Sequence, residues 1–91
     1  MAYRIEFAPK ADRQFRNLER SLQVRLGRRI DSLAENPYPQ GVKKLGGEWE
    51  EDLYRVRVGD YRIVYQVRQK RLLVLIVRIG HRSEVYRGLS G

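Results

Sequence analysis

The sequence predicts an α+β fold: one domain over residues 1–91, element order βααβββ, with a mainly antiparallel four-stranded sheet carrying a two-helix hairpin on one face. Three observations predict it. Apolar residues recur at helical spacing between Pro9 and the segment "ENPYPQG". Val, Ile and Tyr alternate with polar residues through "EDLYRVRVGDYRIVYQV", interrupted only by Gly59-Asp60, a dipeptide suited to a two-residue hairpin turn. A chain of 91 residues suffices for one small core and leaves no room for a second.

The elements follow in order. "YRIEFA" alternates as a short strand. Pro9 suits the first position of a helix, where its missing N–H would have no partner in any case. Phe15 and Leu18 give that helix an apolar edge, and Leu22, Leu26, Ile30 and Leu33 carry the seam of the next at intervals of four, four and three. Pro37 stops the second helix, because it disfavours helical geometry at Asn36 and cannot continue the hydrogen-bond ladder. "GVKKLGGEWEED" reads as a loop, the hairpin follows, and "RLLVLIVRIG" reads as a long strand pairing back across a turn near Lys70-Arg71.

Pinning the hairpin on Gly59-Asp60 pairs Val58 with Tyr61, Arg57 with Arg62, Val56 with Ile63 and Arg55 with Val64. One face then carries Tyr54, Val56, Val58, Tyr61, Ile63, Tyr65 and Val67, joined by Val74 and Ile76, and is the face the helices should cover. The other carries Arg55, Arg57, Arg62, Gln66 and Arg68 beside Val64, Leu73, Leu75, Val77 and Ile79. Two arginines directly opposed on a sheet repel each other. The repulsion is about 1 kcal/mol in water and several-fold larger in a drier site, and a bound anion would reverse its sign.

The charge distribution agrees. The net charge is +8, and from Leu53 onward there are nine basic residues against two acidic ones, compared with ten against nine before it. A field of this kind favours a polyanion such as nucleic acid, or an acidic protein. Cysteine is absent and His81 is the sole histidine, so neither a disulfide framework nor a zinc site is expected. Glu48, Glu50, Glu51 and Asp52 read as solvated loop acids, and no metal or cofactor is assigned. No apolar run approaches the roughly 20 residues of a membrane span, and "MAYRIEF" lacks a signal-peptide core. The expectation is a cytoplasmic protein.

"YRVRVGDYRIVYQV" followed by "RIGHRSEVYR" resembles the RelE branch of the RelE/ParE toxins of prokaryotic toxin–antitoxin systems, over nearly the whole chain. The resemblance implies an endoribonuclease that cuts messenger RNA in the A site of the 70S ribosome and is held inactive by an acidic antitoxin. It also implies that Arg55, Arg57 and Arg62 form the basic site, with Arg82 and Tyr86 completing it. Some members have lysine where Arg55 and Arg57 stand, and lysine can exchange a proton in a crowded cationic site whereas arginine is a poor proton-transfer group. Proton transfer then falls to His81, since histidine ordinarily titrates near pH 6.5, or to Tyr86. Lys43, Lys44 and Arg68 are candidate contacts to the RNA backbone. Leu73, Leu75 and Val77 form a candidate antitoxin surface, because only the last dozen residues remain to cover them.

Each residue also has an ordinary reading. Strand arginines can line a solvated face, His81 can be a surface residue at a strand end, Tyr86 can close the core, and Lys43-Lys44 can be a solvated pair. Two other functions fit the same fold: a ParE-like toxin that poisons DNA gyrase, and a basic module that grips RNA or antitoxin without cleaving. Arg82-Ser83-Glu84-Val85-Tyr86 favours the nuclease.

Overall fold

The computed structural model describes residues 2–45 and 53–87. Strand β1 (Arg4–Phe7) leads into α1 (Pro9–Arg16), with Pro9 at the first helical position. Leu18 falls in the turn before α2 (Arg20–Glu35), whose seam buries Leu26, Ile30 and Leu33. Asn36 leaves the helix in extended geometry ahead of Pro37, and its side-chain Oδ1 accepts the Tyr38 N–H at 3.0 Å. Four strands follow: β2 (Lys43–Leu45), β3 (Leu53–Val58), β4 (Tyr61–Arg68) and β5 (Leu73–His81), the last two joined by a 3-10 turn at Gln69–Arg71.

The sheet therefore has five strands, in the order β1-β5-β4-β3-β2. The fifth is β2, which corrects the expected loop: Lys43 pairs with Arg55 and Leu45 with Leu53, so three residues of that segment extend the edge of β3. The acids Glu48, Glu50, Glu51 and Asp52 lie outside the described residues. Strand β1 runs parallel to β5, and every other pairing is antiparallel. The hairpin register is the expected one, Arg57 facing Arg62. Gly59, with φ of 60°, takes the positive-φ position that a tight hairpin turn demands.

Both helices cover one face. Val56, Ile63, Tyr65, Val67, Val74, Ile76 and Ile79 are buried there with Ala11, Leu26, Ile30 and Leu33. Ile79 corrects the expected alternation. Tyr65 pairs with Ile76 but Val64 pairs with Arg78, so Val77 is an extra residue in β5, a β-bulge. One inserted residue inverts every later side chain, so Arg78 turns to the far face while Ile79 and His81 turn to the helix side. On the far face, Leu53, Val64 and Val85 form a second buried cluster with Leu45 and Val77 against it, so the turn after β5 covers part of this surface.

Tyr65 ties the connection after α2 to the core. It is fully buried, its hydroxyl donates to the Pro37 carbonyl at 2.7 Å, and its ring stacks on Tyr54. Burial pushes its phenol well above the ordinary tyrosine range, against a smaller opposing pull from Arg29. The unfolded chain gives up this proton near pH 10 and the folded chain keeps it, so Tyr65 costs stability as pH rises past about 10. Tyr65→Phe should lower stability by about 1 kcal/mol at neutral pH through loss of the hydrogen bond, and should reduce the alkaline loss. Urea midpoints at neutral pH and above about pH 10 test both; an alkaline loss identical to that of the unmodified protein contradicts the assignment.

Candidate active site

Alternation along the hairpin puts Arg55 and Arg57 of β3 and Arg62 of β4 on the face away from the helices. Lys43 stands opposite Arg55 on β2 and joins the same face. Arg82, Ser83 and Tyr86 arrive from the turn after β5. Three hydrogen bonds and one packing contact hold that turn in place. The Arg82 N–H donates to the Asp60 carbonyl at 2.7 Å, the Glu84 and Val85 N–H groups both donate to the His81 carbonyl at 2.9 Å, and Val85, 2 % exposed, sits over Gly80 in the second cluster.

The result is an open cleft of about 610 Å³ lined by Lys43, Arg55, Arg57, Arg62, Arg82 and Tyr86 with Leu45 and Ser83. Five of these side chains are cationic and none is acidic. Among the described residues no carboxylate comes within 4.0 Å of any of the five, since the ion pairs there are Arg4–Glu6 and Arg16–Asp12. Arg62 is the most constrained of them. Its Nη1 donates to the Gly59 carbonyl at 3.0 Å and to the Tyr61 carbonyl at 2.9 Å, which folds the guanidinium over the hairpin turn and leaves Nε and Nη2 for a ligand. Gathering five cations with no counter-ion among the described residues is unfavourable by itself and suits an anionic ligand with several acceptor oxygens.

Other expected residues lie elsewhere. His81 is on the helix side, its ring edge-on to Tyr61 at 5.8 Å, and it lines a different depression with Gln14, Asn17 and Glu84. The bulge put it there: without the inserted Val77, alternation would have turned His81 toward the arginines. Its link to the cleft is indirect. Nδ1 accepts the Ser83 N–H at 3.2 Å and lies 2.8 Å from the Ser83 hydroxyl, which lines the cleft. Lys44 shares the face of Tyr54, opposite to Lys43. Arg68 is on the basic face but six residues from Arg62, about 20 Å along β4. Its Nη2 donates to the Gln66 Oε1 at 3.3 Å. Leu73 is 3 % exposed and closed to a partner, whereas Leu75 and Val77 are half-buried.

Sequence reasoning missed Leu45 and Ser83 in the cleft, and Arg78 on the basic face. Pairing of β2 would have shown the first. Ser83 adjoins Arg82 in the same motif. Arg78 depends on the bulge; its Nη1 donates to the Val77 carbonyl at 2.9 Å and its Nε is buried without a partner among the described residues.

Residues 5–86 match the family model for the ParE toxin of the type II toxin–antitoxin system parDE. The chain is 30% identical to the mRNA interferase toxin RelE of Escherichia coli K12 over 94% of its own length and 92% of that protein's. Its fold superposes on the archaeal RelE–RelB complex from Pyrococcus horikoshii with a TM-score of 0.78 and 31% identity, covering 93% of this chain and all of that one. The intact E. coli RelBE toxin–antitoxin complex gives a TM-score of 0.76 and 27% identity, covering 88% and 96% of the two chains.

Proposed function

The chain belongs to the RelE/ParE family of type II toxin–antitoxin toxins, and on that footing we propose that it is a ribosome-dependent endoribonuclease that cuts messenger RNA in the A site. One observation carries the reading: a cleft that gathers Lys43, Arg55, Arg57, Arg62 and Arg82 beside Tyr86, with no acidic group among the described residues that line it.

In this reaction the ribose 2′-OH gives up its proton and its oxygen attacks the adjacent phosphorus. The bond to the 5′-oxygen of the next nucleotide breaks, that oxygen takes a proton, and a 2′,3′-cyclic phosphate remains. Charge accumulates on the non-bridging oxygens in the transition state. Planar guanidiniums with paired donors stabilise that charge, and Arg62, already fixed over the turn, loses least freedom in doing so. The route needs no metal, since arginines supply the positive charge. Arginine holds its proton too tightly to exchange it, so the Tyr86 hydroxyl at the cleft wall protonates the leaving 5′-oxygen, while water takes the 2′-OH proton and returns one to the phenolate. The ribosome would present the codon in a strained, in-line geometry that this shallow cleft cannot impose alone.

The family model is that of ParE, which keeps gyrase poisoning as the second reading. Primer extension on messages from cells briefly expressing the chain separates the two. Cuts confined to translated codons are expected; intact messages with gyrase-dependent DNA breaks would establish the second reading.

The partner that restrains the toxin would be an acidic antitoxin, as the RelB complexes of its structural relatives suggest. Its carboxylates would approach Arg55, Arg57 and Arg62 while apolar side chains rest on Leu75 and Val77, with the buried Leu73 behind them. Apolar anchors mainly slow dissociation, and rim charges mainly speed association. Leu75→Ala should therefore accelerate antitoxin release more than it slows binding, and added salt should do the reverse. Both rates are accessible by surface plasmon resonance; release at the unmodified rate would remove Leu75 from the docking surface.

A further inference from the structure

We propose that a second groove, at the open edge of β3, binds the phosphodiester backbone of RNA and continues the path that begins in the cleft. Arg25, Arg28, Arg29 and Ser32 of α2 form one wall, and Arg57 and Val58 of β3 form the other, around about 420 Å³. The proposal rests on the reading of the cleft as an RNA site and extends it to RNA beyond the scissile phosphate.

Three features of the fold make the groove. Strand β2 pairs only with Leu53, Tyr54 and Arg55, so among the described residues Arg57 and Val58 have no strand neighbour on their outer side. Residues 25, 28, 29 and 32 fall at i, i+3, i+4 and i+7, so they form one ridge about 10 Å long on α2, beside the seam of Leu26, Ile30 and Leu33 that holds the helix to the sheet. Arg57 lines both the groove and the cleft, so a strand with one phosphate at Arg62 has a cationic path over the sheet edge onto α2.

The chemistry of the groove favours nucleic acid over an acidic protein. None of its four arginines is within ion-pair distance of a carboxylate among the described residues, and Asp31 lines the depression on the other flank of Arg28. Stacking like charges at i, i+3 and i+4 weakens a helix unless something anionic lies across them. Protein interfaces centre on apolar anchors and are depleted of charge at their core, whereas nucleic-acid interfaces are polar and strongly positive. Among the described residues this groove offers only the half-buried Val58 as an apolar contact. Its arginines can grip phosphate oxygens in pairs without reading a base, which fits a non-sequence-specific grip.

The backbone could belong to the message flanking the cut or to ribosomal RNA. The test is the double variant Arg25→Gln/Arg28→Gln. Both side chains are exposed and outside the cleft, and glutamine is nearly as good a helix former as arginine. Binding would be measured across a salt series in two arms: an uncleavable 2′-O-methyl RNA strand, and 70S ribosomes without message. Loss of two phosphate contacts should flatten the slope of log affinity against log salt by about 1.4 for a single strand. Flattening in the strand arm assigns the groove to message, and flattening in the ribosome arm alone assigns it to ribosomal RNA; either supports the proposal. Unchanged slopes in both arms overturn it, as does a loss confined to antitoxin binding, which would make the groove a protein contact. The cleft reading fails separately. Flattened slopes with no cleavage by the unmodified toxin would leave the groove standing and remove the chemistry, whereas normal cleavage with unchanged slopes would do the opposite.

Discussion

Arg62→Ala is expected to reduce cleavage by about 10²–10³ while the domain stays folded. Removal of one preorganised donor to a developing oxyanion has a cost of that order. Arg62 is also the cleft arginine that the hairpin turn itself holds, through the carbonyls of Gly59 and Tyr61. Stability should hardly fall, because the change relieves the juxtaposition with Arg57. Arg55→Ala and Arg57→Ala should each cost less, since the two side chains project from the same strand into the same cleft and can replace one another in part. Single-turnover cleavage on programmed ribosomes, with a denaturation midpoint for each variant, checks both statements. A fully active Arg62→Ala toxin would remove the residue from the mechanism, and equal losses at all three positions would refute the redundancy.

Tyr86→Phe should be the other severe change, slowing the single-turnover rate by about 10²–10⁴ with ribosome affinity nearly unchanged. It deletes only the hydroxyl, and general acid–base groups contribute on that scale. Tyr86 is 39% exposed at the cleft wall and its turn is anchored by Val85, so phenylalanine there should not disturb the core. His81→Gln is the matched comparison. The bulge places that ring beside Tyr61 on the helix side, so its loss should leave the rate within a few-fold of the unmodified toxin. A large loss in the His81 variant with Tyr86→Phe unaffected would reverse the assignment and make the Ser83 hydroxyl, 2.8 Å from Nδ1, the route by which the imidazole reaches the cleft.

The parts of this site legible in the sequence are those fixed by local rules. Gly59-Asp60 pins the hairpin register, and a period of two then places Arg55, Arg57 and Arg62 together without further information. Arg82 and Tyr86 were placed by resemblance, since no periodicity reaches across the turn after β5; the contacts that hold them, Arg82 N–H to Asp60 and Val85 over Gly80, are tertiary. The bulge at Val77 has no sequence signal, since neither glycine nor proline marks it, and the faces of Arg78, Ile79 and His81 depend on that single insertion. Strand β2 is not legible in the sequence because three residues beside a glycine pair give no alternation to detect, and its pairing with β3 depends on partners eight to twelve residues away. Burial of Leu73 and the cover that Val85 gives to Val64 and Leu53 likewise depend on how the sheet edge and the last turn pack.

The cationic cleft is proposed to cleave RNA by internal attack of the 2′-OH. The most direct test is to incubate the purified toxin with 70S ribosomes programmed with a defined message and to identify the new ends chemically. A 2′,3′-cyclic phosphate on the upstream fragment and a 5′-hydroxyl on the downstream one, formed by the unmodified toxin and lost in Arg62→Ala, is the predicted result. Fragments ending in a 3′-hydroxyl and a 5′-phosphate, or a message left whole, would contradict it.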